Sequence, residues 1–180
     1  KAEKNAAGAA SGVVGTLGFG LLDANSLAPL DQQINAIQST GLTTPDPVSV
    51  QKIIDQLVAQ NAATVAMEVS SHSLVLGRVA ALQFDTAIFT NLTQDHLDFH
   101  GDMLSYGKAK AQLLTYPNLK HAIVNADDVW AKTLLAQIPP SVSAISFSLS
   151  DSSADIYLKD VELSEKGAQA MLHSPWGEIG

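Results

Sequence analysis

The 180-residue chain contains no cysteine, which excludes disulfide scaffolds and thiolate metal sites. No apolar run approaches the length of a membrane-spanning helix, and no signal-peptide pattern opens the sequence. Basic residues are few. Ten Lys and Arg stand against eighteen Asp and Glu, a formal net charge of −8. That balance argues against non-specific binding to nucleic acid or an anionic membrane surface. It leaves a phosphate ligand open, because such a site needs only local donors and a cation. Gly15-Thr16-Leu17-Gly18 lacks the Gly-Lys-Ser/Thr ending of a phosphate loop, and no other stretch supplies one. Repeats and low-complexity segments are also lacking.

What is present is a globular balance, 46% hydrophobic and 16% charged, enough for one domain with a sizeable core. The chain opens on Lys1-Ala2-Glu3-Lys4-Asn5-Ala6-Ala7 instead of Met and ends on Trp176-Gly177-Glu178-Ile179-Gly180. It reads as an excised piece that starts in the tail of a helix spanning residues 1–11. Val13 to Gly20 forms a β-like run, with Gln33-Ile34-Asn35-Ala36-Ile37 as its expected partner strand. Asp46 is placed to cap a helix with Pro47 at its first position, and Val50, Ile53, Ile54, Leu57 and Val58 give that helix an apolar stripe. Thr64 to Val69 reads as a buried strand and residues 82–92 as the next. A helix over 102–116 stops near Pro117. His121 to Asn125 is a strand, and a helix opens at Asp127-Asp128. Alternating runs from Val142 onward read as further strands, with a turn at Lys166-Gly167. Strand–helix alternation followed by strands predicts an α/β fold: a mostly parallel sheet with helices on both faces, finished by antiparallel strands.

The densest polar stretch is Thr90-Asn91-Leu92-Thr93-Gln94-Asp95-His96-Leu97-Asp98-Phe99-His100-Gly101, followed by Lys110. It lies where a strand ends and a helix begins, the place where open α/β sheets bind ligands. Taken alone, it is accounted for by an Asp/His-rich turn that caps the next helix, with a metal or phosphate site as the alternative. A second anomaly is Glu68 on an apolar strand, where an unpaired carboxylate would be costly to bury. The other reading puts Glu68 at the solvated end of that strand.

The run from Thr90 to Lys110 resembles the signature of the Mur ligases. So does Ala66-Met67-Glu68-Val69-Ser70-Ser71-His72-Ser73-Leu74 through Arg78. Thr43-Thr44-Pro45 and Asn125-Ala126-Asp127-Asp128 add two more matching blocks, all in the family's order. The resemblance implies a P-loop-type central ATP-binding domain of a cytoplasmic, monomeric ligase of peptidoglycan synthesis, and hence of cell-wall growth, cell shape and division. That enzyme uses ATP and Mg2+ to join a diamino acid, meso-diaminopimelate in preference to lysine, to UDP-MurNAc-L-Ala-D-Glu through an acyl phosphate. Nucleic acid and membrane are not among its partners. Residues 1–180 would be part of the central domain, with the phosphate loop, the UDP-binding domain and the C-terminal domain lying outside them. The piece by itself is then expected to be inactive.

The same resemblance implies roles for single residues. Glu68 and His96 would be magnesium ligands, and Lys110 the family's carboxylated lysine, whose carbamate adds oxygens of the kind magnesium prefers. Thr43, Thr44, Ser70 and Arg78 would hold the precursor, since hydroxyls and a guanidinium suit pyrophosphate and carboxylate oxygens. Asn91 and Asn125 would lie toward the nucleotide, with His72 and His100 beside the site. Leu76 departs from the pattern, since some family members carry glutamine there. Two other readings are a binuclear metal hydrolase, which would want a His-x-His pair that none of the five histidines forms, and a non-catalytic domain that binds a nucleotide sugar.

Overall fold

Alternating side chains build the first sheet. In β1 (Ser11–Gly15), Gly12 and Val14 are buried while Ser11, Val13 and Gly15 stay half-exposed, the period of two of a strand covered on one face. A computed structural model describes residues 10–23, 25–164 and 167–180. The chain forms two units, Lys1–Leu82 and Gln83–Gly180, each with its own sheet. The helix tail expected before residue 10 lies outside the described residues, and Ser11 already belongs to β1.

In the first unit, β1 turns at Thr16-Leu17 into β2 (Gly18–Leu22), and β3 (Thr64–Met67) joins β1 in parallel, giving the order β2-β1-β3. The partner of β2 is therefore β1. The strand expected at 33–37 is instead α1 (Leu30–Asn35), and only an isolated bridge from Phe19 to Gln38 lies beyond it. The Gln33 side chain explains the change: it accepts from the Asp23 amide at 2.8 Å and donates to the Ala28 carbonyl at 2.9 Å, closing the connection over the helix. α2 (Pro47–Ala59) begins where the sequence indicates, with Asp46 Oδ1 accepting from the amides of Val48 and Ser49. Its Ile53 and Leu57 form a core with Val14, against which Phe19, Leu21, Val65 and Met67 pack. β3 is an edge strand that alternates exposed and half-buried residues, so the buried strand expected over 64–69 is shorter and more open. A short helix, α3 (Ser71–Val75), follows it.

The second unit has the strand order β4-β5-β6-β7-β8-β9. β4 (Thr86–Phe89), β5 (His121–Asn125), β6 (Ser143–Ser148) and β7 (Ile156–Ser164) run parallel, and β8 (Gly167–Ser174) and β9 (Gly177–Ile179) complete it antiparallel. The fold is mixed α/β, as the strand and helix alternation predicts. Ala87 pairs with Ala122 and Phe89 with Val124, and all four are buried. β4 is only the middle of the strand expected at 82–92. After it come a single turn, α4 (Leu97–His100), then α5 (Met103–Ala111), capped by Asp102 and prolonged by a 3-10 turn at Gln112–Thr115. α6 (Ala131–Leu135) starts later than Asp127-Asp128, because both carboxylates are engaged elsewhere.

Candidate functional site

Glu68 follows the last residue of β3, and its amide donates to the carbonyl of Val14 at 2.8 Å. The residue is exposed, so the solvated-end reading of this carboxylate is the one the structure supports. It is nonetheless held. Its Oε2 accepts from the amide of Thr16 at 2.8 Å and from the Thr16 hydroxyl at 2.7 Å. Thr43 Oγ1 lies 3.1 Å from Thr16 Oγ1.

Thr44 sits behind this group, 1% exposed. Its hydroxyl donates to the Glu68 carbonyl at 2.9 Å and accepts from the Ser70 amide at 3.1 Å. Ser70 caps α3, its hydroxyl accepting from the Ser73 amide at 3.2 Å. Arg78 Nη1 donates to the Thr44 carbonyl at 3.0 Å. Thr43, Thr44, Glu68, Ser70 and Arg78 are thus one hydrogen-bonded group. His72 lies within α3 and Leu76 follows it, exposed.

In the second unit, Lys110 lies on the last turn of α5, and its Nζ donates to the Asn91 carbonyl at 2.9 Å. Nζ is 5.3 Å from the centre of the Tyr106 ring. Burial lowers the pKa of Lys110 below its ordinary value, while the charges of Asp128 and Asp95 oppose that shift. Tyr106 is itself buried, which raises the pKa of its phenol. His100 stacks on Tyr106 at 5.0 Å and His96 meets it edge-on at 6.0 Å. His96 is in the left-handed region at φ 54, uncommon for non-glycine residues but one that Asn, Asp and His adopt more often than others. Its amide donates to Asp95 Oδ1 at 2.8 Å.

Asp128 fixes the loop that carries Asn91, since it accepts from the amides of Leu92 at 2.7 Å and Trp130 at 2.8 Å. Asn125 donates to the Thr90 carbonyl at 2.8 Å. Asn91, Lys110, Asn125 and Asp128 line one narrow pocket together with Phe89, Val124 and Leu134. The expected residues therefore fall into two groups, with Glu68 in the first unit and His96, Lys110, Asn91 and Asn125 in the second. The sequence gives no site role to Thr16, which falls in the rejected glycine-rich run, or to Asp128, which stands in a matching block and at a helix start but among no candidate site residues. Nothing local marks Thr16, since its partner Glu68 is 52 positions away.

The residues of the first unit suit magnesium in one respect: both bonds to the Glu68 carboxylate go to Oε2, leaving Oε1 as an oxygen donor. Lys110 as an amine is a hydrogen-bond donor, and only a carbamate would give it oxygens to offer. Among the described residues, no three His, Cys, Asp or Glu side chains gather as a ready-made metal cluster.

An α/β domain with a carboxylate anchored just beyond a parallel strand, and a half-buried lysine beside a strand-to-helix loop, defines the class. The chain belongs to the Mur ligases, for residues 3–180 match the family's middle domain. It is 46% identical over 167 residues to the UDP-N-acetylmuramoyl-L-alanyl-D-glutamate–2,6-diaminopimelate ligase of Ectopseudomonas mendocina, covering 93% of this chain and 32% of that protein. The protein of the same name from Pseudomonas aeruginosa is 44% identical, with the same coverage of each. A solved structure of a UDP-N-acetylmuramoyl-L-alanyl-D-glutamate–2,6-diaminopimelate ligase superposes with a TM-score of 0.77 at 31% identity, over 95% of this chain and 33% of that one. The chain spans about a third of the length of these relatives.

Proposed function

We propose that this chain is the central part of an ATP-dependent amide-bond ligase that adds meso-diaminopimelate to UDP-N-acetylmuramoyl-L-alanyl-D-glutamate. The enzyme would act as a cytoplasmic monomer in peptidoglycan precursor synthesis. No helix among the described residues is long and apolar enough to cross a membrane, which is compatible with that setting. The observation that carries the reading is the hydrogen-bonded group around Glu68: Thr44 bonds its backbone carbonyl, Ser70 and Arg78 bond Thr44, and Thr43 is linked to the anchored carboxylate through Thr16.

The chemistry has two displacements. A carboxylate oxygen of the precursor attacks the γ-phosphorus of ATP, and the bond to the bridging oxygen breaks to release ADP. The amine nitrogen of the diamino acid then attacks the acyl carbon, loses a proton and expels inorganic phosphate. The first step brings like charges together, so positioning and positive charge dominate its catalysis. Magnesium, when bound, would offset that negative charge. In the first unit Glu68 would be a magnesium ligand, and in the second unit His96 and the carbamate of Lys110 would be magnesium ligands. Arg78 and the hydroxyls of Thr43 and Ser70 would hold precursor anions, with Thr44 shaping their turn. Asn91 and Asn125 would face the nucleotide.

The test is ligation by the whole enzyme that carries this chain, supplied with the dipeptide precursor, ATP and either meso-diaminopimelate or lysine. The expected outcome is ADP, phosphate and the diaminopimelate tripeptide in equal amounts. ATP consumption without amide product, or preference for lysine, would count against the proposal.

A further inference from the structure

We propose that Gly15, at the end of β1, and Thr16, in the hairpin turn that follows, form a positioning device for Glu68, which turns one carboxylate oxygen toward a divalent cation and ties it to Thr43. This rests on the reading of Glu68 as a metal ligand.

Two donors from a single residue converge on one oxygen. The amide and the hydroxyl of Thr16 both reach Oε2, which restricts the carboxylate's rotation and, among the described residues, leaves Oε1 without a hydrogen bond. Charge-assisted bonds of this kind are stronger than neutral ones. The turn brings Thr16 there because β1 runs parallel to β3, so the ends of both strands lie side by side. Position 15 must be small. A Cβ on Gly15 would stand 2.7 Å from Glu68 Cδ and 2.9 Å from Oε2, too close for the carboxylate to stay.

The hydroxyl chemistry extends the link. Thr16 has one hydroxyl proton, and Oε2 takes it. Over the 3.1 Å contact with Thr43, Thr16 can therefore only accept, and Thr43 donates. The chain of donors runs from Thr43 through Thr16 to Glu68, from the turn assigned to the precursor to the carboxylate assigned to the metal. A precursor anion that takes the Thr43 proton alters the bond that Thr16 makes. Cation and precursor binding are then coupled through two hydroxyls.

The experiment uses the whole ligase and Mn2+ as the probe, its binding followed by electron paramagnetic resonance with ADP present and thermal unfolding recorded alongside. Glu68→Ala tests the underlying reading, and Thr16→Val removes only the hydroxyl. Thr16 is exposed, so Thr16→Val should unfold at nearly the parent temperature. It should weaken Mn2+ binding by about tenfold, the order expected for one hydrogen bond to a charged group, while Thr16→Ser stays within about twofold of the parent. Thr43→Val should weaken Mn2+ in the parent and have little further effect beside Thr16→Val, as coupled residues do. If Glu68→Ala weakens Mn2+ and Thr16→Val does not, the device is overturned and the metal assignment stands. If Thr16→Ser is as weak as Thr16→Val, the hydroxyl is not the cause and the device is also overturned. If Glu68→Ala leaves Mn2+ binding unchanged, assignment and device fall together. Equal effects of Thr43→Val in both backgrounds would remove the link to Thr43.

Discussion

Lys110 Nζ donates to the backbone carbonyl of Asn91 at 2.9 Å, so the half-buried amine is held beside the loop that leaves β4. Burial lowers its pKa, against the pull of Asp128 and Asp95. A lysine lowered in this way has more of the neutral amine near neutral pH, the form that combines with carbon dioxide. The sign for stability follows: the unfolded chain binds the proton more tightly, so this contribution is full above the ordinary value of about 10.5 and is lost as pH falls through the folded value. With 13C-bicarbonate, the whole ligase is expected to show a carbamate signal that Lys110→Ala lacks. The same variant should lose ligation and regain part of it with short-chain carboxylates. Near-normal kcat in Lys110→Ala would leave the mechanism to Glu68 and His96.

Arg78 has a second role besides any contact with substrate, because it supports the Thr44 carbonyl. Arg78→Ala is expected to raise the KM for the dipeptide precursor about 10- to 100-fold, the equivalent of roughly 1.5–3 kcal/mol for a charged hydrogen bond. The KM for ATP should move much less. Steady-state kinetics with each substrate varied in turn makes the distinction. An equal loss for both would identify collapse of the turn at Thr44 as the cause.

Gly107, buried on α5, faces the ring of Trp130: a Cβ there would lie 2.7 Å from Trp130 Cζ3. Gly107→Ala should therefore destabilise the fold by about 1–3 kcal/mol, as overpacking does, and change the Trp130 fluorescence. Urea titration in a Trp176→Phe background reads both from one chromophore. Unchanged stability would show that the indole moves aside without cost.

Asp127 accepts from the Leu149 amide at 2.7 Å, from the Ser148 hydroxyl at 2.5 Å and from the Ser150 hydroxyl at 3.1 Å. These bonds, led by that of Leu149, lower its pKa below 3.8. The depressed value means that its stabilisation is present above the ordinary carboxylate range and is lost as pH falls through the folded value. Asp127→Asn should thus lower stability at pH 7 and lose less than the parent on acidification to pH 3. Parallel urea titrations at the two pH values test this, and identical pH slopes would refute it.

Much of the site was legible because its residues lie in short blocks whose order identifies the family. Thr43-Thr44-Pro45, Ala66 through Arg78, Thr90 through Lys110 and Asn125-Ala126-Asp127-Asp128 carry the family pattern in the sequence, and Thr43, Thr44, Glu68, Ser70 and Arg78 form one bonded group. The misreadings were local ones. Gln33-Ile34-Asn35 has apolar spacing that suits either strand or helix, and the bonds of Gln33 to Asp23 and Ala28 chose the helix. Thr16 was passed over because a threonine in a turn carries no signal of its own.

Sequence alone determined the family, the start of α2 at Asp46-Pro47 and the succession of strands from β3 to β8, because caps, turns and apolar periodicity act between near neighbours. Tertiary structure decided which side chains meet. The parallel pairing of β1 with β3 sets Thr16 against Glu68, and the turn at 43–44 bonds to both of them. Packing around α5 half-buries Lys110 and lowers its pKa. Hydrogen bonds and desolvation depend on distances through space, and those exist only once segments remote along the chain have been brought together.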